Sequence, residues 1–521
     1  MRNVLPAGAA AVLAAVAVAI SGCSGGSSQA TGQPSAGTTP AAVTSPAAAG
    51  APRLRWHRCA ALAAPLRCAS LRVPLDYRRP GGRKITLALS EVPATATSGR
   101  LGALLVNPGG PGGSGLNLAA GVAAGLDQSV AARYDIIGFD PRGVGSSTPA
   151  LRCDPSFFAG ARPNYVPATK AAEQVLIGRA KTYASDCEQR YGWLLPHLTT
   201  QDTARDIDSI RAALRLPQIS YFAYSYGTYI GQVYATMFPS RVRRMVLDST
   251  VDPTRVWYLD NIDQDYAFQG RMDAFFSWVA SHHAVYGLGT TRAQVSTAWY
   301  RARAHLAAHP VRVTDSTAIG ADEFDDTFLV GGYSNGVWPA LASATASYLH
   351  QGSTGALVAA YEEQGVQHEN EFAIYNAVEC SDVNWPRNWA KWDADTRKVY
   401  STAPFEAWDN AWFNAACAFW PVRGPAQPMQ INGKGLPGIL MLQGTLDAAT
   451  PYAGAQRAHK ALPSARMVVV EGGGNHGQSL ASPPNACVNG YLNRYLATGA
   501  LPQRPGPVNA TCAALPPPLP H

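Results

Sequence analysis

The chain has 521 residues, of which 47% are hydrophobic and 15% charged, with a formal net charge of +7. That composition describes a folded protein with a large core rather than a disordered one, and the length favours two packed units over one. The basic residues are interleaved with acids and form no run that would track a phosphate backbone, so nucleic acid is not an expected partner.

The chain begins "MRNVLPAGAAAVLAAVAVAISGC", a short basic start, a small-residue apolar run, and then Ile20-Ser21-Gly22-Cys23. This is the form of an export signal, and the run is short and Ala-rich for a full membrane span. Its ending resembles a bacterial lipoprotein signal, whose cysteine is lipidated. Residues 1–23 are therefore expected to be a signal segment with Cys23 as the lipid site, and plain secretion is the alternative. Residues 24–52 are Ser, Gly, Ala, Thr, Gln, Val and Pro, a composition that reads as a flexible tether. Membrane attachment is expected through the lipid only.

Nine cysteines occur, and assigning Cys23 to lipid leaves an even set, which favours disulfides in an exported protein. Connectivity stays open at this level. Pairing chain neighbours would join Cys59 to Cys68, Cys153 to Cys187, Cys380 to Cys417 and Cys487 to Cys512. No C-x-x-C spacing and no suitably near histidine points to a metal, and no cofactor is expected.

From about residue 84, short β-rich runs alternate with helical segments. "KITLALSEV" reads as a strand, "GALLVNPGGPGGSG" as a strand entering a glycine-rich loop, and "RYDIIGFDPRGVGSS" as a strand and turn. "DTARDIDSIRAALRL" places Ala204, Ile207, Ile210 and Leu214 on one helical face. Strand "ISYFAYS", helix "TYIGQVYATMF" and strand "RRMVLDS" follow. Continuous apolar strands separated by helices predict an α/β fold with a mostly parallel sheet covered on both faces. Residues 256–405 lack this strand signature and read as a mainly helical insertion, a cap over the site. Strands return with "GILMLQGTLD" and "ARMVVVEGGGNHG". The expected organisation is one α/β unit built from 53–255 and 406–521, with the cap between.

The run "YFAYSYGTYIGQ" ends its apolar stretch abruptly at Ser225. This resembles the G-x-S-x-G strand-to-helix turn that raises a serine hydroxyl above a sheet, with Ala223 in place of the first glycine. A serine needs a base to take its proton and a third group to orient that base, in the chain order Ser, acid, His at successive strand ends. His476 follows the last apolar strand after three glycines, and Asp447 follows the strand before it. Asp248 and Asp252, after the strand that follows the elbow, are rival acids. The oxyanion of the tetrahedral intermediate needs N–H donors, expected from Tyr226 and from Gly110 in "NPGGPGGSG", with Gly109 as the fallback. That loop lacks the Lys-Ser/Thr ending of a P-loop and the spacing of a dinucleotide fingerprint. Thr450 is placed to steady the Asp447 loop or to cap a helix.

Together "NPGGPGGSG", "DIIGFDPRGVGSS", "AYSYGTYIGQVYATMFPSRVRRMVLDS", "GTLDAATP" and "GGGNHG" resemble exported actinobacterial tripeptidyl aminopeptidases. These stand with the prolyl aminopeptidases among the α/β-hydrolase serine peptidases. The resemblance covers about residues 55 to 512. It implies an α/β-hydrolase fold and cleavage of short peptides from free N-termini, with cap carboxylates gripping the ammonium. "YNAVECSDVNW" offers Glu379 and Asp382 for that grip, and a solvated charge beside a disulfide is the plainer alternative. The rival functions are a carboxylesterase with the same triad and a non-catalytic binding lipoprotein. Oligomeric state is not legible.

Overall fold

The computed structural model describes residues 53–60, 62 and 66–521. The expected signal segment, Cys23 and the tether lie outside these residues. The strands are β1 (His57–Arg58), β2 (Arg67–Pro74), β3 (Lys84–Val92), β4 (Gly102–Asn107), β5 (Tyr134–Phe139), β6 (Ile219–Tyr224) and β7 (Val242–Asp248). After them come β8 (Val311–Arg312) and β9 (Ala318–Ile319), then β10 (Ile439–Gly444), β11 (Ala465–Glu471) and β12 (Ala510–Ala513).

Ten strands form one sheet in the order β1-β2-β3-β5-β4-β6-β7-β10-β11-β12. The pairings from β1 through β3 to β5 are antiparallel, and all those from β5 onward are parallel. Strands such as "ISYFAY" and "ILMLQG" are apolar along nearly their whole length because both faces are covered. Alternate residues serve the two faces. Leu105, Tyr221, Ala223, Met245 and Met441 enter one core cluster, and Leu104, Val106, Phe222, Val246 and Leu440 enter the other.

Six helices matter for the site: α1 (Thr200–Ala213), α2 (Tyr226–Met237), α3 (Tyr258–Ser281), α4 (Ala321–Tyr333), α5 (Glu369–Asp382) and α6 (Ala407–Asn414). Ala204, Ile207 and Ile210 of α1 are buried as their spacing predicts, and Leu214 packs partly buried at its end. The chain between β7 and β10 is helical apart from the small β8–β9 pair. The helical stretch does not stop near 405. It runs on through α6 and a short 3₁₀ turn at Ala415–Ala418, because Asn410 and Asn414 of α6 hydrogen-bond to Asn261 of α3.

The insertion is held in two ways. Phe268, Phe276, Trp299, Phe324, Phe328 and Trp338 form a core of its own. Phe372, Ile374, Trp385, Trp392 and Trp420 instead join the main core with Tyr183, Leu198 and Tyr226. Each such buried apolar side chain contributes about 1.5–3 kcal/mol, so the α5 end of the insertion is fixed firmly to the sheet. The chain-neighbour disulfides are those the structure contains: Cys59–Cys68, Cys153–Cys187, Cys380–Cys417 and Cys487–Cys512. Cys380–Cys417 ties α5 to the turn after α6. No helix among the described residues is long and apolar enough to cross a membrane.

Candidate active site

Ser225 lies between β6 and α2 with φ 55° and ψ −134°. A positive φ is unfavourable for serine and persists only where the surroundings impose it. Here they do. A Cβ on Gly109 would lie 2.8 Å from Ser225 Cβ and 2.9 Å from the Tyr226 nitrogen, so the glycine-rich loop presses its backbone against the turn. A Cβ on Gly227 would lie 2.9 Å from Ala223 Cβ and 2.6 Å from Asn107 Oδ1. The turn therefore has room for one methyl, which Ala223 supplies, and the second glycine of the pattern is the indispensable one.

The loop after β4 is set by Asn107, whose Oδ1 accepts the Gly109 N–H at 2.9 Å. That bond occupies Gly109 and leaves Gly110 beside Ser225 and Tyr226 in the cavity wall. Tyr226 is the first residue of α2, where the N–H has no intrahelical acceptor.

The His476 side chain, 6% exposed, follows β11, and its Nδ1 lies 2.9 and 3.1 Å from the two carboxylate oxygens of Asp447. Asp447 is held in turn by the Thr450 N–H and hydroxyl, each at 3.1 Å. With Nδ1 donating to Asp447, Nε2 is the basic nitrogen, and it is buried with no hydrogen-bond partner among the described residues. Burial by itself would lower the imidazole pKa. The Asp447 charge and hydrogen bond outweigh it, so the ring sits above its ordinary value. Asp248 does a different job. Its carboxylate accepts the Gln478 and Ser479 N–H groups at 2.8 Å each and the Ser479 hydroxyl at 2.5 Å, bracing the loop that follows His476. Asp252 is engaged by Arg457 and Thr254.

The cap holds the other side of this loop. The His476 N–H donates to the Tyr333 carbonyl at 2.7 Å, and the Asn335 N–H donates to Asn475 Oδ1 at 2.8 Å. Arg271 lies flat against Gly474, where a Cβ would fall 2.1 Å from its guanidinium.

Above Ser225 is a cavity of about 240 Å³ walled by four helical stripes. Trp257, Asp260, Asn261 and Gln264 come from α3 and its N-terminal flank; Asp326, Leu329, Val330 and Tyr333 come from α4. His368, Glu371, Phe372, Tyr375 and Glu379 come from α5 and the residue that caps its start, and Glu406, Asp409, Asn410 and Phe413 from α6 and its N-cap. Each set follows the spacing of one helix face. Among the described residues no Lys or Arg is in this wall, although it carries six carboxyl groups. Asp326 is paired with Arg162, which also binds Glu323 at 2.8 Å. Burial holds Asp260, Glu379, Glu406 and Asp409 well above the ordinary carboxyl range, neighbouring acids adding to the effect.

Of the two cap acids read from the sequence, Glu379 reaches the cavity and Asp382 does not. Asp382 accepts the Thr200 N–H at 2.8 Å and the Thr200 hydroxyl at 2.5 Å, at the start of α1. It is the last residue of α5, past the point where that helix faces the cavity. Glu406, Asp409, Asp260 and Glu371 were not singled out by sequence reasoning. The polar spacing of Glu406, Asp409 and Asn410 in "PFEAWDNAWF" is the signal that marks a polar face where an apolar one would be usual.

A model of the alpha/beta hydrolase fold family matches residues 102–481, and the chain belongs to that family. With the Ser225 elbow and the Asp447–His476 pair at its strand ends, it is a serine hydrolase. The chain is 41% identical over 473 residues to a tripeptidyl aminopeptidase of Streptomyces coelicolor, covering 88% of this chain and 85% of that one. It is 32% identical over 466 residues to the serine protease Hip1 of Mycobacterium tuberculosis, covering 85% and 87%. It is also 34% identical over 507 residues to a carboxylesterase B of Mycobacterium tuberculosis, covering 93% and 94%.

Proposed function

We propose that this chain is an exported serine exopeptidase that removes short peptides, tripeptides foremost, from free N-termini. The observation that carries the reading is the acid-walled cavity that ends at Ser225 and has no Lys or Arg among its described lining residues. A peptide α-ammonium entering it forms a charge-assisted hydrogen bond with Glu379, which is 2% exposed and already oriented by Asn261 Nδ2 at 3.3 Å. A space of about 240 Å³ admits the end of a peptide and excludes a folded chain.

In this reading Ser225 Oγ attacks the scissile carbonyl while His476 Nε2 takes its proton. Asp447 holds the imidazolium through Nδ1–H. The N–H groups of Gly110 and Tyr226 receive the oxyanion. Collapse passes the proton to the leaving amine and leaves an acyl-enzyme. Water, deprotonated by the same Nε2, then releases the peptide acid.

The test is a tripeptide anilide with its amino terminus free or acetylated, with Ser225→Ala as blank. Cleavage of the free form alone is the expected result. Equal cleavage of both forms removes the amino grip. An ester cleaved where neither anilide is cut moves the activity to the carboxylesterase class.

Export is supported by the four disulfides, which persist in oxidising compartments. Lipid attachment at Cys23 is checked by labelling cells with a fatty acid. Label is expected on the full chain and lost in Cys23→Ala, and a full chain without label would make the protein a plainly secreted one.

A further inference from the structure

Helix α3 serves as a ruler along the cavity wall. Glu379 is bound at the level of Asn261, through Asn261 Nδ2. One turn on, Asp265 Oδ1 accepts Asn410 Nδ2 at 2.9 Å. A further turn on, Gln269 Oε1 accepts the N–H of Phe405, the residue before Glu406, at 3.0 Å. Helices α3 and α6 thus run side by side in opposite directions, and Glu406 belongs to the far end of this ladder. Eight residues of α-helix rise ~12 Å, so the two glutamates are on the order of 10 Å apart. One ammonium cannot touch both.

Glu406 is 7% exposed, lines the cavity, and its Oε2 has no hydrogen-bond partner among the described residues. Asp409, one turn along, is 8% exposed and lines the same wall. Arg162, which stands behind this wall, is already shared between Asp326 and Glu323. A buried carboxyl without a partner is destabilising unless a ligand supplies one, and an α-ammonium at Glu379 leaves this end of the cavity unmatched. An extended peptide advances about 3.5 Å per residue and a lysine side chain reaches further still, so a separation on this scale lies within the span of one short peptide.

We propose that Glu406 and Asp409 form a second cation site, which takes the side chain of a lysine or arginine in the same peptide whose α-ammonium is held by Glu379. The inference rests on the exopeptidase reading and names the substrate class within it: short peptides carrying two positive charges. Glu406 is a specificity residue and touches no reacting atom.

The test uses free-amine tripeptide anilides with lysine or its neutral near-isostere norleucine at each of the three positions in turn. They are assayed on wild type, Glu406→Gln and Glu379→Gln. At one position, kcat/KM for lysine should exceed that for norleucine by about tenfold or more, the scale of one charge-assisted hydrogen bond. In Glu406→Gln that ratio should fall toward unity while acetylation of the amino terminus still suppresses cleavage. In Glu379→Gln the acetylation effect should shrink and the lysine preference remain. Equal rates for lysine and norleucine at all three positions overturn the proposal, as does a lysine preference that survives Glu406→Gln.

If Glu406→Gln does not fold, Asp409→Asn gives the same ratio. If no anilide is cut and an ester is, the exopeptidase reading has failed separately. The second site is then read from competition against that ester: lysine tripeptide amides should inhibit wild type about tenfold better than norleucine ones, and equal inhibition overturns it.

Discussion

Asp447 and Asp248 stand at the C-terminal ends of neighbouring parallel strands, and both are fully buried. Their partners separate them. Asp447 meets the imidazole, whereas Asp248 accepts three hydrogen bonds from the two residues after Gly477 and has its pKa pushed up to about 6 by burial against those bonds. The strand pattern placed both aspartates near the site and favoured Asp447, with Asp248 as its rival, while the loop that curls toward Asp447 is visible only in the fold. Asp447→Asn should lower kcat by about 10⁴-fold by releasing the tautomer, with little change in Tm. The pH profile distinguishes the roles further. Because Asp447 holds His476 above its ordinary value, the acid limb of kcat/KM should have its midpoint above 6.5. That midpoint should move downward in Asp447→Asn. A limb that stays in place in the variant would mean that another group is titrating.

At the scale of elements, the strands and the elbow were legible because a buried parallel strand writes itself as an unbroken apolar run that must end where the chain turns. Ser225, Asp447 and His476 all lie just past such ends. The departure at Ala223 also has a local cause, since only one of residues 223 and 227 can carry a methyl beside Asn107. Gly227→Ala should therefore cost about 1–3 kcal/mol and most of the activity, whereas Ala223→Gly should retain activity. Urea melts with kcat measured alongside check both, and a fully active Gly227→Ala would show that the turn is looser than its contacts state. The cap was legible only as helix. Which acid faces the cavity depends on how four helices rotate against one another, and sequence spacing fixes a stripe without fixing its direction. Glu379 and Asp382 lie close on one helix, yet the first meets Asn261 and the second meets Thr200. The α6 acids were missed because the helix was counted with the sheet's return rather than with the cap.

Across the whole molecule, the helical insertion over the sheet is rich in acids, and burial raises Asp260, Glu379, Asp382, Glu406 and Asp409 above the ordinary carboxyl range. Asp382 is raised to about 7 by burial, against the two hydrogen bonds from Thr200. A carboxyl raised in the folded state keeps a proton there that the unfolded chain has already lost above about pH 4. The folded state then binds more protons than the unfolded one, so this group's contribution to stability falls as pH rises from about 4 to about 7. Above the folded pKa no further change follows. Asp382→Asn retains the acceptor for the Thr200 N–H and removes the ionisation. Its Tm relative to wild type should therefore climb steadily from about pH 4 to about pH 7 and then level off. The swing should be on the order of a few kcal/mol, since each pKa unit corresponds to about 1.4 kcal/mol. Paired thermal melts at half-unit pH intervals measure it. A Tm difference that is flat across this window would show that Asp382 ionises normally and that its burial between α5 and α1 is relieved by water. A difference that climbs as described would identify it as a structural strut of the cap, distinct in role from Glu379 three residues away.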